Sequence, residues 1–250
     1  MKTIFLAATA AVLGFALTST SGACAAELRV FAGASFAGSL KELAPMFEKA
    51  TGHKLDISYG AAPELIKMTT SEPFDLGIIP ADVMKNEAVR VKFAGTPVPV
   101  TRVGFGIAVK AGAPKPDIST VDAFRQSLLK AQSITFLPES AAGGYILKVF
   151  ERLGIADAMK AKTRPQTAAA KISGAVANGE AELGIFLTNV LIGPGVELAG
   201  PFPPDLQQDF VLVGAVAVDS KDAAAAKAFL DYLKTPEAAA VFKSKGVTPG

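Results

Sequence analysis

The sequence predicts an α/β protein of two lobes with mostly parallel sheets, and three observations lead there. Short β-branched apolar runs alternate with amphipathic helical stretches. Glycines follow several helical stretches at the point where a left-handed cap residue is wanted. Two proline-rich passages each lead into an unusually long apolar run.

The first 25 residues, MKTIFLAATAAVLGFALTSTSGACA, carry one cation, Lys2, then an apolar run, then small residues. That is the layout of a secretory leader, and the apolar run is too short to span a bilayer. Cleavage after Ala25 removes the only cysteine, Cys24, so the exported chain needs no disulfide chemistry. Lipid attachment at Cys24 is the alternative, but Ser21 stands where a lipoprotein leader carries an aliphatic residue. Losing Lys2 takes the 25 cations to 24 against 23 anions. A balance near +1 with no long basic run argues against nucleic acid as a partner. A periplasmic monomer with no membrane insertion after leader removal is expected.

Strands are predicted at 28–31, 55–59, 76–79, 103–109, 134–137, 183–187 and 210–218, several of them apolar enough to be buried on both faces. Leu40, Leu43 and Phe47 form a helical stripe after the first strand, and Ile146, Val149, Phe150 and Leu153 repeat it. Gly52, Gly154 and Gly179 end helical patterns, and Pro45 falls inside the first helix. If 103–109 and 210–218 lie side by side, residues 26–100 and 210–250 form one lobe and 105–205 the other. Hinge crossings then fall near 100–105 and 205–210, and a ligand cleft opens outside the carboxyl ends of the strands.

The stretch "LRVFAGASFAGSL" at 28–40 tests two chemistries. A nucleophile elbow needs glycine two residues after Ser35, where Ala37 stands, and a base within reach. The only histidine, His53, reads as a solvated turn residue past a helix end. A phosphate loop needs lysine at 39, where Ser39 stands. What remains is a strand, a small-residue loop and a helix whose opening N–H groups suit an anion, with Ser35 either capping its helix or adding a hydroxyl to that ring.

"FLPESAAGGY" at 136–145 repeats the pattern, with Ser140, Ala142, Gly143 and Tyr145 as candidates. "YGAAPE" at 59–64 supplies a third loop, with Pro63 near a helix start. No metal site or cofactor is implied. The expected ligand is a small anion.

"VFAGASFAGSLKELAPMFEKATGHKLDISYGAAPELIK", "PFDLGIIPADVMK", "GEAELGIFL" and "AAAAKAFLDYLKTPEAAAVFKSKGV" follow one another in this chain. In that order they resemble the periplasmic molybdate-binding proteins of ABC importers, within the wider type-2 solute-binding family. The resemblance implies a two-lobed Venus-flytrap periplasmic-binding-protein fold with a two-crossing hinge, an ABC permease partner, and a molybdate- or tungstate-like oxyanion held by neutral donors. It places the family's first serine on Ser35, with loop amides at Ala34 and Phe36. The family's second-loop hydroxyl falls near Ala61 and Ala62, and its tyrosine on Leu187, beside Thr188.

The chain has no hydroxyl at Ala62 or Leu187. Each hydrogen bond to a charged group contributes about 1.5–3 kcal/mol, so two missing donors lower oxyanion affinity by powers of ten unless replaced. Tyr145, Ser140, Thr188, Asn189 and Ser58 are the candidate replacements. Arg102, beside the first crossing, would favour a carboxylate ligand if it faced the cleft. An organic-acid or amino-acid-like ligand is therefore the alternative expectation. A serine hydrolase using Ser35 and a sensory or scaffold role stand behind it.

Overall fold

The computed structural model describes residues 25–250, so the expected leader up to Cys24 lies outside the described residues. The chain opens with β1 (Glu27–Gly33), α1 (Ala37–Thr51), β2 (Lys54–Gly60) and α2 (Ala62–Ser71). Then come β3 (Leu76–Pro80), the short α3 (Ala81–Met84) and α4 (Glu87–Arg90), and β4 (Val98–Val103). After Gly104 the chain continues with β5 (Phe105–Lys110), α5 (Val121–Lys130), β6 (Ile134–Phe136), α6 (Ala141–Arg152), α7 (Ala156–Lys162) and β7 (Thr163–Pro165). It goes on with α8 (Ile172–Ala177), β8 (Leu183–Leu187) and β9 (Val196–Pro201). It ends with β10 (Phe210–Val216), α9 (Ala223–Tyr232), α10 (Pro236–Ser244) and β11 (Thr248–Pro249).

Two sheets result. One has the order β11-β4-β10-β3-β1-β2, and the other β7-β6-β8-β5-β9. Each sheet with its helices forms one lobe, and Gly104 and the segment from 202 to 209 connect them. The α/β reading holds, but the sheets are mixed rather than mostly parallel. β1 pairs in parallel with β2 and β3, and β6 with β7 and β8, while β4, β5, β9, β10 and β11 pair antiparallel. β4, β5, β9 and β10 flank the two crossings where the chain leaves one sheet and returns to it, and β11 is the last strand, added to the edge beside β4.

The central strands β3 and β8 are buried at every residue, as their unbroken apolar runs require. Leu40, Leu43 and Phe47 of α1 and Ile146, Val149 and Phe150 of α6 are buried on the predicted stripes. Gly52 has φ 78°, Gly154 φ 65° and Gly179 φ 77°, the left-handed conformation that their positions after helical stretches called for. Pro45 sits within a helix that runs on to Thr51.

The predicted strand at 103–109 is two strands in different sheets, broken at Gly104. The side chain of Gln207 supplies the reason. Its Oε1 accepts the Phe105 N–H at 2.8 Å, and its Nε2 donates to the Phe105 carbonyl at 2.9 Å. A Cβ at position 104 would stand 3.2 Å from that amide, so glycine leaves the room the clamp needs. The second crossing is also held by side chains from α6. The Tyr145 hydroxyl donates to the Leu206 carbonyl at 2.8 Å, and the Arg152 guanidinium donates to the Asp205 carbonyl at 2.9 Å. The strands β7, β9 and β11, unmarked in the sequence reading, are sheet-edge strands, and each carries or ends on proline.

Candidate functional site

The carboxyl ends of β1, β2 and β3 meet the start of α6 and the end of β8 across the cleft between the lobes. They enclose a cavity of about 30 Å³. From the first lobe it is lined by Gly33, Ala34, Ser35, Gly60, Ala61, Ala62 and Pro80. Leu137, Ser140, Ala141, Ala142, Ala169 and Phe186 line it from the second lobe, and Phe210 from the start of β10. No lining side chain is charged.

Each wall is built by the same local device: a strand gives way to small residues, and a helix begins. The first wall is the 3-10 turn Ala34–Phe36 running into α1, the second opens α2, and the third opens α6. The first N–H groups of a helix have no intrahelical partner. Some here are already engaged. Glu64 Oε2 accepts the Ala61 N–H at 2.9 Å, closing one side of a capping box, and Ser140 Oγ accepts the Gly143 N–H at 2.9 Å. The N–H groups of Ser35, Phe36, Ala62, Ala141 and Ala142 have no side-chain or loop partner among the described residues. Helix macrodipoles add partial positive charge at these ends, so the cavity offers an anion neutral donors and a favourable field.

Ser35 does not cap its helix: neither the Ala34–Phe36 turn nor α1 receives a side-chain cap. Its carbonyl accepts the Asn189 Nδ2 at 2.8 Å, a bond from the turn after β8 in the second lobe to the anion-facing loop of the first. Asn189 Oδ1 is buried and has no partner among the described residues. The 3-10 turn Ala169–Lys171 packs against the Ala34–Phe36 turn from the same side.

Of the residues singled out from sequence, the structure brings Ala34, Ser35, Ala61, Ala62, Ser140 and Ala142 together around the cavity. The Phe36 ring packs in the core 5.3 Å from that of Phe242, leaving only its amide toward the loop. Gly143 does not line the cavity, because its N–H is held by the Ser140 cap and a Cβ there would lie 1.9 Å from the Leu137 carbonyl. Ser140 is occupied as that cap, and its hydroxyl also donates to the Leu137 carbonyl at 2.8 Å.

Tyr145 lies outside the cavity, tied to Leu206, and burial pushes its phenol above the usual range while the Arg152 charge pulls it back. Leu187 is fully buried at a sheet position opposite Phe105, and Thr188 gives its N–H to the Gly104 carbonyl. Ser58 sits within β2 and does not reach the cavity. Arg102 faces Asp209 at 3.9 Å on the surface of the crossing, so it supplies no cation to the cleft.

His53 is buried, not solvated: its Nδ1 accepts the Ala26 N–H at 3.1 Å, and its ring lies 6.0 Å from that of Phe47. This places it at the amino end of β1, roughly 20 Å from Ser35 at about 3.3 Å per strand residue. The hydrolase version that uses His53 thus has no base within reach of Ser35. Sequence reading missed Pro80, Ala169, Phe186 and Phe210, which reach the cavity from distant segments and carry no local motif, and Asn189 as a contact between lobes.

Two mixed sheets joined by a clamped double crossing, with a neutral donor-lined cavity between them, define a bilobal binding protein of the α/β class. The chain belongs to the bacterial extracellular solute-binding protein family, whose profile matches residues 28–248. It is 34% identical to the aconitate isomerase of Pseudomonas sp. over 95% of each chain. It is 31% identical to the molybdate-binding protein ModA of Escherichia coli strain K12, again over 95% of each chain. The solved periplasmic molybdate-binding protein of Azotobacter vinelandii shares the fold with a TM-score of 0.72 at 22% identity, over 89% of this chain and 99% of that one. Among the described residues no helix is long and apolar enough to cross a membrane.

Proposed function

We propose that this chain is the periplasmic solute-binding component of an ABC importer and that it holds a small oxyanion between its lobes, with molybdate or tungstate as the first ligands to test. The observation that carries this reading is the set of unpartnered helix-opening amides facing one cavity from both lobes, with Ser35 beside them and no charged side chain in the lining. An anion bound there exchanges its water for fixed donors on both sides. Donors on both lobes favour the closed arrangement, and closure turns about the crossings near 100–105 and 205–210. His53 lies at the far end of β1, which removes the hydrolase that uses it, and the role we read is binding. The relatives named for molybdate binding support the ligand class, and the family supports the extracytoplasmic setting.

A second reading, an organic acid, is favoured by the absence of hydroxyls at Ala62 and Leu187 and by the relative named for its action on aconitate. Thermal denaturation of the mature protein against molybdate, tungstate, sulfate, phosphate and a set of carboxylates decides between them. A ligand at a hundred times its Kd stabilises by about 2.7 kcal/mol, a shift of about 5–11 °C for a chain of this size. Flat curves with the inorganic ions would remove the first reading, and flat curves with every anion would remove both.

A further inference from the structure

A second cavity, of about 170 Å³, adjoins the first, and Ala141 and Phe210 line both. We infer that the two form one pocket, in which the inner compartment holds a carboxylate on the helix-opening amides and the outer chamber holds the body of a small organic acid whose second polar group is met by Lys85. This rests on the anion reading of the inner cavity and favours the second reading of the proposed function, an organic acid, over a bare inorganic oxyanion.

The sizes point this way first. An inner compartment of about 30 Å³ suits a headgroup, whereas a carbon skeleton needs the chamber beside it. The chamber also belongs to the cleft. α3 of the first lobe faces Phe105 and Tyr145 of the second across it, and the returning crossing from 208 to 211 forms its floor. The rings of Phe105 and Tyr145 pack 4.8 Å apart and, with Phe210, give the body of a ligand an apolar surface.

The polar groups of the chamber differ in how far they are already committed. The Tyr145 hydroxyl is spent on the Leu206 carbonyl, and Asp209 faces Arg102 at 3.9 Å. Lys85 Nζ meets Asp82 Oδ1 at 2.7 Å, but that pair is an exposed i,i+3 contact, with 78% of the lysine side chain accessible. Such pairs contribute little, and an ammonium has two further N–H groups after serving one carboxylate. Lys85 is the one cation in a lining that also holds the carboxylates of Asp82 and Asp209, and it meets an anionic ligand by sharing its ammonium with Asp82, while the Gln208 side chain beside it makes no hydrogen bond among the described residues. A bare tetrahedral oxyanion in the inner compartment would leave all of this unused.

The test is calorimetry on the mature wild-type protein and Lys85→Glu, with molybdate and tungstate in one arm and malate, citrate, cis-aconitate and trans-aconitate in the other. At least one organic acid is expected to bind the wild type, and Lys85→Glu to weaken it at least tenfold. Lys85 is exposed, so the substitution leaves the fold intact, which circular dichroism checks. Binding of molybdate or tungstate with no response to any organic acid would overturn the chamber's role while leaving the anion reading in place. So would an organic acid whose affinity stays within twofold in Lys85→Glu. No heat with either class would remove the anion reading along with the inference.

Discussion

The two ends of β1 and β3 handle polar groups in opposite ways. At the amino end the Asp75 carboxylate, almost wholly buried, accepts the Arg29 N–H at 3.0 Å, the Ser220 hydroxyl at 3.0 Å and the Lys221 N–H at 2.9 Å. His53 accepts the Ala26 N–H nearby. At the carboxyl end the amides of Ser35, Phe36, Ala62, Ala141 and Ala142 have no side-chain or loop partner among the described residues, while those of Ala61 and Gly143 are capped. The larger cavity, of about 310 Å³ and lined by Glu27, Arg29, Asp56, Asp219 and Lys221, belongs to the amino end, and the smaller one to the carboxyl end. The proposed function follows the unmet donors rather than the room: a charged, internally satisfied end suits holding the lobe together, and a neutral end with unmet donors suits the anion proposed there.

If that division is right, substitutions at the two ends separate stability from binding. The largest expected effect lies where the two coincide. Gly143→Ala drives a methyl to 1.9 Å from the Leu137 carbonyl, a backbone atom that cannot swing aside, so the start of α6 must shift. Destabilisation of about 3 kcal/mol is expected, at the upper end for overpacking, and anion binding falls with it because Ala141 and Ala142 move. Urea unfolding of this variant with an unchanged midpoint would show that α6 tolerates a different entry. Next comes Asp75→Ala, which leaves three donors without their acceptor. It is expected to cost about 2–3 kcal/mol in the same assay while the affinity for whichever anion binds stays within twofold. A loss of affinity as large as the loss of stability would erase the distinction between the two ends.

How much of this was legible in the sequence depended on the distance along the chain between the groups concerned. The strand, small-residue and helix pattern at Leu28 to Leu40 is local, and so is its repeat from Phe136 to Tyr145. Both read correctly, because capping and periodicity involve neighbours within a few residues. The clamp of Gln207 on Phe105 joins residues 102 apart, and the bond from Asn189 to Ser35 joins residues 154 apart. Neither residue has a local signature. Gln207 looks like any polar residue after a proline cluster, and Asn189 like any turn residue after a strand. The Tyr145 hydroxyl escaped a local reading for the same reason. Its position one turn into α6 suggested a hydroxyl for the ligand, whereas that hydroxyl finds a backbone carbonyl on the second crossing, 61 residues away. His53 was misread as solvated because its partner is the backbone of Ala26, which only the parallel pairing of β1 with β2 brings alongside.

Two smaller effects sharpen the comparison from the binding side. Ser35→Ala removes a hydroxyl that caps nothing, so thermal stability without ligand should not change. Affinity for the bound anion should fall at least tenfold, about 1.4 kcal/mol and close to the low end for a hydrogen bond to a charged acceptor. Unaltered affinity would move the anion off the first loop. Asn189→Ala then tests whether the second lobe supports that loop from outside the cavity. Its Nδ2 bond to the Ser35 carbonyl is worth about 0.5–1.5 kcal/mol, so affinity should fall by about twofold to tenfold. The loss should appear as faster dissociation in stopped flow, because the bond exists only while the lobes are together. The unliganded fold should barely notice. Asn189 already buries an Oδ1 with no partner, and truncation removes that unmet acceptor together with the donor. A variant that loses stability but keeps its dissociation rate would make Asn189 a structural residue of its own lobe rather than a latch across the cleft.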